Sequence, residues 1–522
     1  MNKLMIHHFI KIVLLISLFI FSSFTVPINW KASLKQPNII FFLVDDMGWQ
    51  DTSVPFWTEK TPFNLLYQTP NMEKMAAEGM KFTQAYASSV CSPTRVSLMT
   101  GMNAARHRVT NWTLKRNISE DHADDVLKMP VWNMNGLQPV DSIENAVHAT
   151  TLPQILKQNG YFTIHCGKAH WGAMNTPGAN PINLGFDLNI AGHAAGAPGS
   201  YQGEKNFGNK NGDKIGDKQT LPWGVPGLGK YHGDTINLTE VLTLEAISAI
   251  QQAQKHNKPF FLNMSHYAVH TPLEADTRFY KKYKNMGLEE PEARFASMVE
   301  GMDKSLGDLI SFLSASNLDK NTIIVFMSDN GSLSASARGG TLHSHNKPLK
   351  SGKGSAYEGG IREPMMVKWS RKVKAGSVCN QPIIAEDFFS TLLDLAGVKK
   401  IKTVQIIDGV SFTPYLFQKS KIQKDRTFVW HYPNKWGPTG PGIGTTSSIR
   451  HGNWKLIYWY KDGKKELYRL DEDLSENNDL ADKYPEKVDE LSSLLGEYLR
   501  KVGADRPLFK QTNQAAPWPD EN

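Results

Sequence analysis

The chain has 522 residues, 40% hydrophobic and 21% charged, with 41 Gly, 28 Pro, 13 Trp and only 3 Cys, a composition that excludes disorder, collagen-like repeats and a disulfide-stapled miniprotein. Lys and Arg number 58 against 51 Asp and Glu, a net charge of +7 with no long run of like charges. No nucleic-acid partner is therefore expected, whereas a small anionic group or a polyanion suits the surplus if the cations converge on one site. At about 100–200 residues per domain, the length allows several domains or one large α/β domain with an appendage.

At the N-terminus, Lys3, His7, His8 and Lys11 lead into the apolar run 12–21, and Ser22 and Ser23 come next. Residues 1–26 read as a secretory signal peptide, because the run falls short of the roughly 20 residues that span a bilayer. Export to the periplasm or the medium is expected, with membrane contact only through this signal. An exported chain normally pairs its cysteines, yet Cys91, Cys166 and Cys379 are odd in number and scattered. At least one stays unpaired or is chemically altered; Cys166 and Cys379 read as small buried hydrophobes.

Four apolar, β-branched or aromatic runs lie further along, at 38–44, 161–164, 259–263 and 322–327. Continuous apolarity marks strands buried on both faces, as in a parallel sheet. Helical patterns lie between them. Thr69-Pro70 opens one that Gly79 ends, Thr151 and Pro153 open another that stops at Gly160, and amphipathic stretches cover 237–256, 292–316 and 386–396. Strand and helix alternate, so the expected core is α/β: a large doubly wound, mixed but mostly parallel sheet flanked by helices.

The residues just past these strands carry chemistry. The runs end in Asp45-Asp46, in Gly167-Lys168-Ala169-His170, in His266 and His270-Thr271-Pro272, and in Asp329-Asn330-Gly331. Open α/β sheets bind ligands at the carboxyl ends of their strands, and all of these groups would meet on one edge. Any one of them alone reads equally well as a turn or a helix cap. From about residue 417 the pattern changes to short alternating strands at 427–432, 447–450, 454–460 and 466–470, with a Lys461-Asp-Gly-Lys464 turn and an amphipathic helix over 485–502. The expected organisation is a signal peptide (1–26), a catalytic α/β domain (36–416) and a smaller C-terminal α+β subdomain (417–522). The Gly/Asn/Lys-rich stretch 185–231 has little periodicity, and a loop of that length is usually functional.

Asp45, Asp46, Asp329 and Asn330 offer oxygen ligands without clustered Cys or His, which suits Ca²⁺ or Mg²⁺ better than Zn²⁺. Arg95, Lys168, His170, His270 and Lys353 are the remaining candidate lining, so an oxyanion ester is the natural guest. Cys91 opens Cys91-Ser92-Pro93-Thr94-Arg95, a helix start whose free N–H groups would favour an anionic nucleophile; an inert core cysteine is the plain alternative.

Cys91-x-Pro93-x-Arg95 with Thr100-Gly101 after it resembles the signature of type I sulfatases, of the alkaline-phosphatase-like superfamily, in which this Cys is oxidised to Cα-formylglycine. The resemblance extends through Asp45-Asp46-Met-Gly-Trp49, Gly167-Lys168-Ala-His170-Trp-Gly172, His270-Thr-Pro272, Ser328-Asp329-Asn330-Gly331, Lys353, Glu358-Gly-Gly-Ile-Arg-Glu-Pro364 and Ile449-Arg-His-Gly-Asn-Trp-Lys-Leu456, over about residues 36–500. It implies a calcium held by Asp45, Asp46, Asp329, Asn330 and residue 91. One hydroxyl of the aldehyde hydrate attacks sulfur, and the other then collapses to aldehyde and expels sulfate. It further implies Arg95 on the hydrate, Lys168 and Lys353 on the sulfate oxygens, His270 as acid and His170 as base. A formylglycine-generating maturation enzyme is an implied partner.

A sulfated polysaccharide or glycan, met by a bacterium that scavenges it, is the expected substrate. His193 and His266 are candidate substrate-binding residues. Trp112, Arg106, His107, Arg108, His343 and His345 serve either sugar subsites or packing, and Glu358-Gly-Gly-Ile-Arg362 supports the site from behind. A phosphodiester or phosphonate hydrolase of the same superfamily and a non-catalytic glycan-binding relative are the competing readings.

Overall fold

Continuous apolarity puts every residue of β1 (Asn38–Val44) out of solvent, and the pleat divides them between two cores. Ile40, Phe42 and Val44 join one apolar cluster, while Ile39, Phe41 and Leu43 join another on the opposite face. At about 1.5–3 kcal/mol per fully buried large apolar side chain, such a strand needs helices on both sides. The computed structural model describes residues 36–209, 222–335, 337–418 and 426–521. The expected signal peptide lies outside the described residues, as does part of the 185–231 stretch.

The strands of the main sheet are β1, β2 (Met80–Tyr86), β3 (Phe162–Gly167), β4 (Leu188–Ile190), β5 (Phe260–Ser265), β6 (Thr322–Ser328), β7 (Arg362–Trp369), β8 (Ser377–Cys379) and β9 (Ile383–Ile384). Their order is β8-β2-β7-β6-β1-β5-β3-β4, with β9 also on β2. All pairings are parallel except those of β7, which runs antiparallel to β2 and β6. The four strands expected from sequence are thus consecutive neighbours, β6-β1-β5-β3, at the sheet centre. Their carboxyl ends lie side by side.

Helices α1 (Pro70–Glu78), α2 (Cys91–Thr100), α3 (Leu152–Gln158), α4 (Leu238–Lys255), α5 (Glu290–Ala315) and α6 (Asp387–Leu395) flank this sheet. Met72, Leu242 and Leu306 of α1, α4 and α5 pack on one face; Val96, Leu156 and Leu392 of α2, α3 and α6 pack on the other. Thr151 and Gln154 form the reciprocal cap of α3. Thr69 precedes α1 but does not cap it with its side chain, because its hydroxyl is committed to Thr52 and Ser53 at 2.8 Å.

Sequence periodicity missed β2 and β7. In β7, Pro364 has no N–H to give, and the register with β2 shifts between Glu363 and Met365, the bulge that lets a proline sit inside a sheet. The 185–231 stretch is likewise not all loop, since it supplies edge strand β4.

The C-terminal sheet is an antiparallel meander of β10 (Thr427–Tyr432), β11 (Thr446–His451), β12 (Trp454–Trp459) and β13 (Lys465–Arg469). Helix α7 (Pro485–Val502) covers one face, with Leu491, Leu495 and Leu499 against Ile449, Leu456 and Leu467. Pro37–Asn522 forms one compact unit, and no helix among the described residues is long and apolar enough to cross a membrane.

Candidate active site

At the end of β1 the chain turns sharply, with Asp46 held at φ 59°, a conformation rare outside glycine and concentrated at functional sites. The neighbouring strand ends lock the turn. The Asp45 N–H donates to Ala268 O at 2.9 Å and the Asp329 N–H to Val44 O at 3.0 Å, while the Met47 N–H donates to Ser328 Oγ at 3.0 Å. Asp45, Asp46, Asp329 and Asn330 are consequently all buried at one point. Carboxylate oxygens of Asp45 and Asp329 and the Cys91 Sγ lie within 4.8 Å of one another, and so do ligand atoms of Asp45, Asp46 and His270.

Cys91 is the first residue of α2, two positions earlier than Pro93 suggests, with Val90 as the N-cap and Gly101 closing the helix at φ 71°. Burial raises the Cys91 thiol pKa, opposed by Lys168 and Lys353. Arg95, one turn on, binds three strand ends together. Its Nε donates to Asp329 Oδ2 at 2.8 Å, and Nη1 donates to Lys168 O at 3.0 Å and Ser265 Oγ at 2.7 Å.

Two further cations sit on the carboxylates. Lys168 Nζ donates to Asp45 Oδ2, and Lys353 Nζ donates to Asp46 Oδ1 at 2.6 Å. Burial opposes ionisation of Asp46, but Lys353, His270 and Lys168 together hold its carboxyl below the usual range. The Asp45 carboxyl goes the other way, raised by burial and then by its neighbour Asp329. The oxygens Asp45 Oδ1, Asp46 Oδ2 and Asn330 Oδ1 are buried without a hydrogen-bond partner. Buried acceptors rarely stay unpaired, and crowded carboxylates with an amide oxygen are a hard cation's ligand set. The residues fit calcium or magnesium.

The two histidines are set in opposite senses. His170 Nε2 lies 2.7 Å from Thr113 O; a carbonyl only accepts, so Nε2 carries the proton and Nδ1, which is buried and unpartnered, carries the lone pair. Burial and then Lys168 and Arg95 push its pKa far below 6.5. His270 Nδ1 lies 2.9 Å from Thr271 O, leaving Nε2 toward Asp46 Oδ2 at 3.5 Å. Burial lowers the His270 pKa to about 3, with Asp46 opposing; an arriving anion would raise it.

Cys91, His170, His270 and Lys353 line a cavity of about 610 Å³. The other three expected substrate contacts are not on its lining: Lys168 is buried on Asp45, and the two histidines are held elsewhere. His266 is buried with Nε2 at 2.9 Å from Ser305 Oγ and its ring against Phe42. His193 packs near Tyr267 and gives its backbone carbonyl to the His170 N–H at 3.1 Å. Of the loop candidates only Trp112 reaches the cavity. Arg106 pairs with Asp408 and Arg108 with Asp505, His107 bonds Ser97 at 3.0 Å, and His345 bonds Ser334 at 3.2 Å. Sequence reading missed Trp223, Trp436, Leu333 and the Gly196–Gly199 rim. Large aromatics in Pro222-Trp223-Gly224 and Lys435-Trp436-Gly437-Pro438 were the available signal, since an apolar ring in a turn has little packing reason to be there.

A mostly parallel sheet with an acidic, cation-clamped centre at its strand ends and a cysteine at a helix N-terminus defines a hydrolase of oxyanion esters. Comparison with known proteins gives the family. A profile of the family described as Sulfatase matches residues 37–398, and one described as N-sulphoglucosamine sulphohydrolase, C-terminal, matches 352–504. A sulfatase of Formosa agariphila is 28% identical over 94% of both chains. The N-acetylgalactosamine-6-sulfatase of Homo sapiens is 32% identical over 78% of this chain and 74% of its own. The crystal structure of Ps i-CgsB in complex with k-i-k-neocarrahexaose superposes with a TM-score of 0.72 at 26% identity, covering 92% of this chain and 95% of that one. The chain belongs to the sulfatase family and is a sulfuric ester hydrolase.

Proposed function

We propose that the protein is exported by a bacterium and removes sulfate esters from a sulfated glycan or polysaccharide, using Cys91 after its oxidation to Cα-formylglycine and a calcium ion, with magnesium as the alternative. One observation carries the metal reading: Asp45 Oδ1, Asp46 Oδ2 and Asn330 Oδ1 are buried and unpartnered, and carboxylate oxygens of Asp45 and Asp329 lie within 4.8 Å of Cys91 Sγ. The names of the N-acetylgalactosamine-6-sulfatase relatives and the k-i-k-neocarrahexaose in the Ps i-CgsB complex support a glycan. The charged start and apolar run of residues 1–26 support export, and the change of pattern near residue 417 supports a division into a catalytic domain (36–416) and a C-terminal subdomain (417–522).

Bound calcium, held by Asp45, Asp46, Asp329 and Asn330 beside residue 91, would neutralise sulfate charge, and a hydrated aldehyde at residue 91 would supply a nucleophilic oxygen. The side chains do the rest. Arg95 fixes Asp329 and orients residue 91. Lys168 and Lys353 turn from their carboxylates to the sulfate oxygens, stabilising the charge that develops there. His170 accepts a proton at Nδ1, and His270 delivers one from Nε2 to the leaving alcohol oxygen.

The test is a comparison of 4-nitrophenyl sulfate with bis-4-nitrophenyl phosphate on matured enzyme. The sulfate is expected to be hydrolysed with the higher kcat/KM. A faster phosphodiester would replace this reading with the phosphodiesterase one.

A further inference from the structure

The cavity beside Cys91 has two unlike kinds of lining. Its floor holds Lys353, His170 and His270, but among the described residues no other Lys or Arg, and no Asp or Glu, lines it; the wall is apolar, with Trp112, Trp223 and Trp436. Among the described residues, the one Lys or Arg on the lining is Lys353, which sits on Asp46 at the sulfate end.

The tryptophans are built into the reactive centre. The Trp436 ring packs against Gly354, next to Lys353: a Cβ at Gly354 would stand 2.1 Å from Trp436 Cε3, and φ there is +83°. Only glycine admits that ring. Trp112 precedes Thr113, whose carbonyl holds the His170 ring. The Trp223 carbonyl accepts from the Gly199 N–H at 2.5 Å, on the rim segment whose Gly196 leaves room for the His170 ring, since a Cβ there would meet His170 Cε1 at 2.4 Å. The aromatic surfaces are thus fixed relative to the clamp.

Resting on the sulfatase reading, we propose that the group carrying the scissile sulfate is a single uncharged pyranose, whose apolar C–H face lies against this tryptophan wall, and that a second anionic substituent on that ring is rejected. Apolar pockets with a few convergent polar groups bind by face and orient by the polar end. A carboxylate or second sulfate brought to the wall loses hydration and meets, among the described residues, no Lys or Arg of the wall to replace it. Such a wall discriminates by exclusion as well as by attraction.

The experiment is isothermal titration of protein bearing unmodified Cys91, so that binding is read without turnover. The ligands are galactose 6-sulfate, a galactose disulfate, a sulfated glucuronic acid and inorganic sulfate. Galactose 6-sulfate is expected to bind at least tenfold more tightly than the two dianionic sugars. Trp436→Ala and Trp223→Ala are each expected to weaken it about tenfold while leaving inorganic sulfate within about twofold, which shows that the clamp is intact; Trp436→Phe should recover most of the affinity. Equal or tighter binding of the dianionic sugars overturns the proposal, as does unchanged sugar affinity in both alanine variants. If matured enzyme cleaves no sulfate ester but binding keeps this order, the sulfatase reading falls and the proposal about the wall stands.

Discussion

Around Asp45 and Asp46, three buried oxygens lack a hydrogen-bond partner; around Glu358 and Glu476, every carboxylate oxygen faces a cation or a donor. Glu358 meets Lys455 at 3.0 Å, Tyr86 at 2.7 Å and Arg362 at 3.3 Å, while Glu476 meets Lys455 at 2.8 Å and the Glu358 N–H at 2.6 Å. Both clusters are buried, acidic and clamped by lysine. The second joins the turn before β7 to β12 of the C-terminal sheet, and its one oxygen without a hydrogen bond, Glu476 Oε1, still faces Lys455 at 2.8 Å. The first keeps open valences at the strand ends, and open valences distinguish a place for a ligand from a strut.

The largest expected effect breaks the open cluster. Asp46→Asn should lower kcat/KM on 4-nitrophenyl sulfate about 10³-fold or more, and should abolish the rise in thermal midpoint that calcium gives the wild type. Saturation to about 100 times Kd corresponds to ~2.7 kcal/mol of stabilisation. A variant that keeps the calcium shift would remove Asp46 from the ligand set.

Next comes the division of labour inside that cluster. His270→Ala should lose roughly 10²–10⁴-fold on a sugar sulfate, whose alkoxide leaves poorly, and far less on 4-nitrophenyl sulfate, whose phenolate needs little protonation. Lys353→Ala and Lys168→Ala should impair both substrates alike. Equal losses for His270→Ala, with chemistry limiting the rate, would make it a binding residue.

The partnered cluster should answer in stability. Glu358→Gln leaves Lys455 and Arg362 short of a counter-charge, a change that costs about 3–5 kcal/mol when a buried pair is broken. Turnover per folded molecule should change little. If activity fell as far as in Asp46→Asn with the thermal midpoint unchanged, the two clusters would not differ as described.

The smallest effect concerns His266, the histidine that packs instead of binding. Burial lowers its pKa to about 3, against about 6.5 in the unfolded chain. Between those values the unfolded chain takes up a proton that the folded one refuses. Its contribution is therefore complete above pH 6.5 and falls as pH drops, by about 1.4 kcal/mol per unit. His266→Gln should flatten the acid limb of the thermal midpoint between pH 6.5 and 5. An unchanged limb would mean that His266 already titrates in the folded protein.

How much was legible depends on where each signal resides. The four central strands announced themselves because burial on both faces forces continuous apolarity, and their ends carried the site with them: Asp45, Lys168, His270 and Asp329 were readable as neighbours from sequence alone. β7 was not, because Pro364 argues against a strand and only the bulge beside Glu363 admits it. Nor was the fate of His193 and His266, since sequence places a histidine near an edge without saying which way its ring turns. The tryptophan wall was half legible: Trp112 was a candidate, but Trp223 and Trp436 come from loops far apart in sequence, and only the close pass over Gly354 brings Trp436 beside Lys353.

The most direct test of the account is the mass of the peptide containing residue 91, taken from protein that turns over 4-nitrophenyl sulfate. The account predicts a residue about 18 Da lighter than cysteine, the loss of sulfur and two hydrogens and the gain of one oxygen in the oxidation of thiol to aldehyde, in a proportion that tracks specific activity across preparations. Full activity in protein whose residue 91 is entirely unmodified cysteine would contradict it.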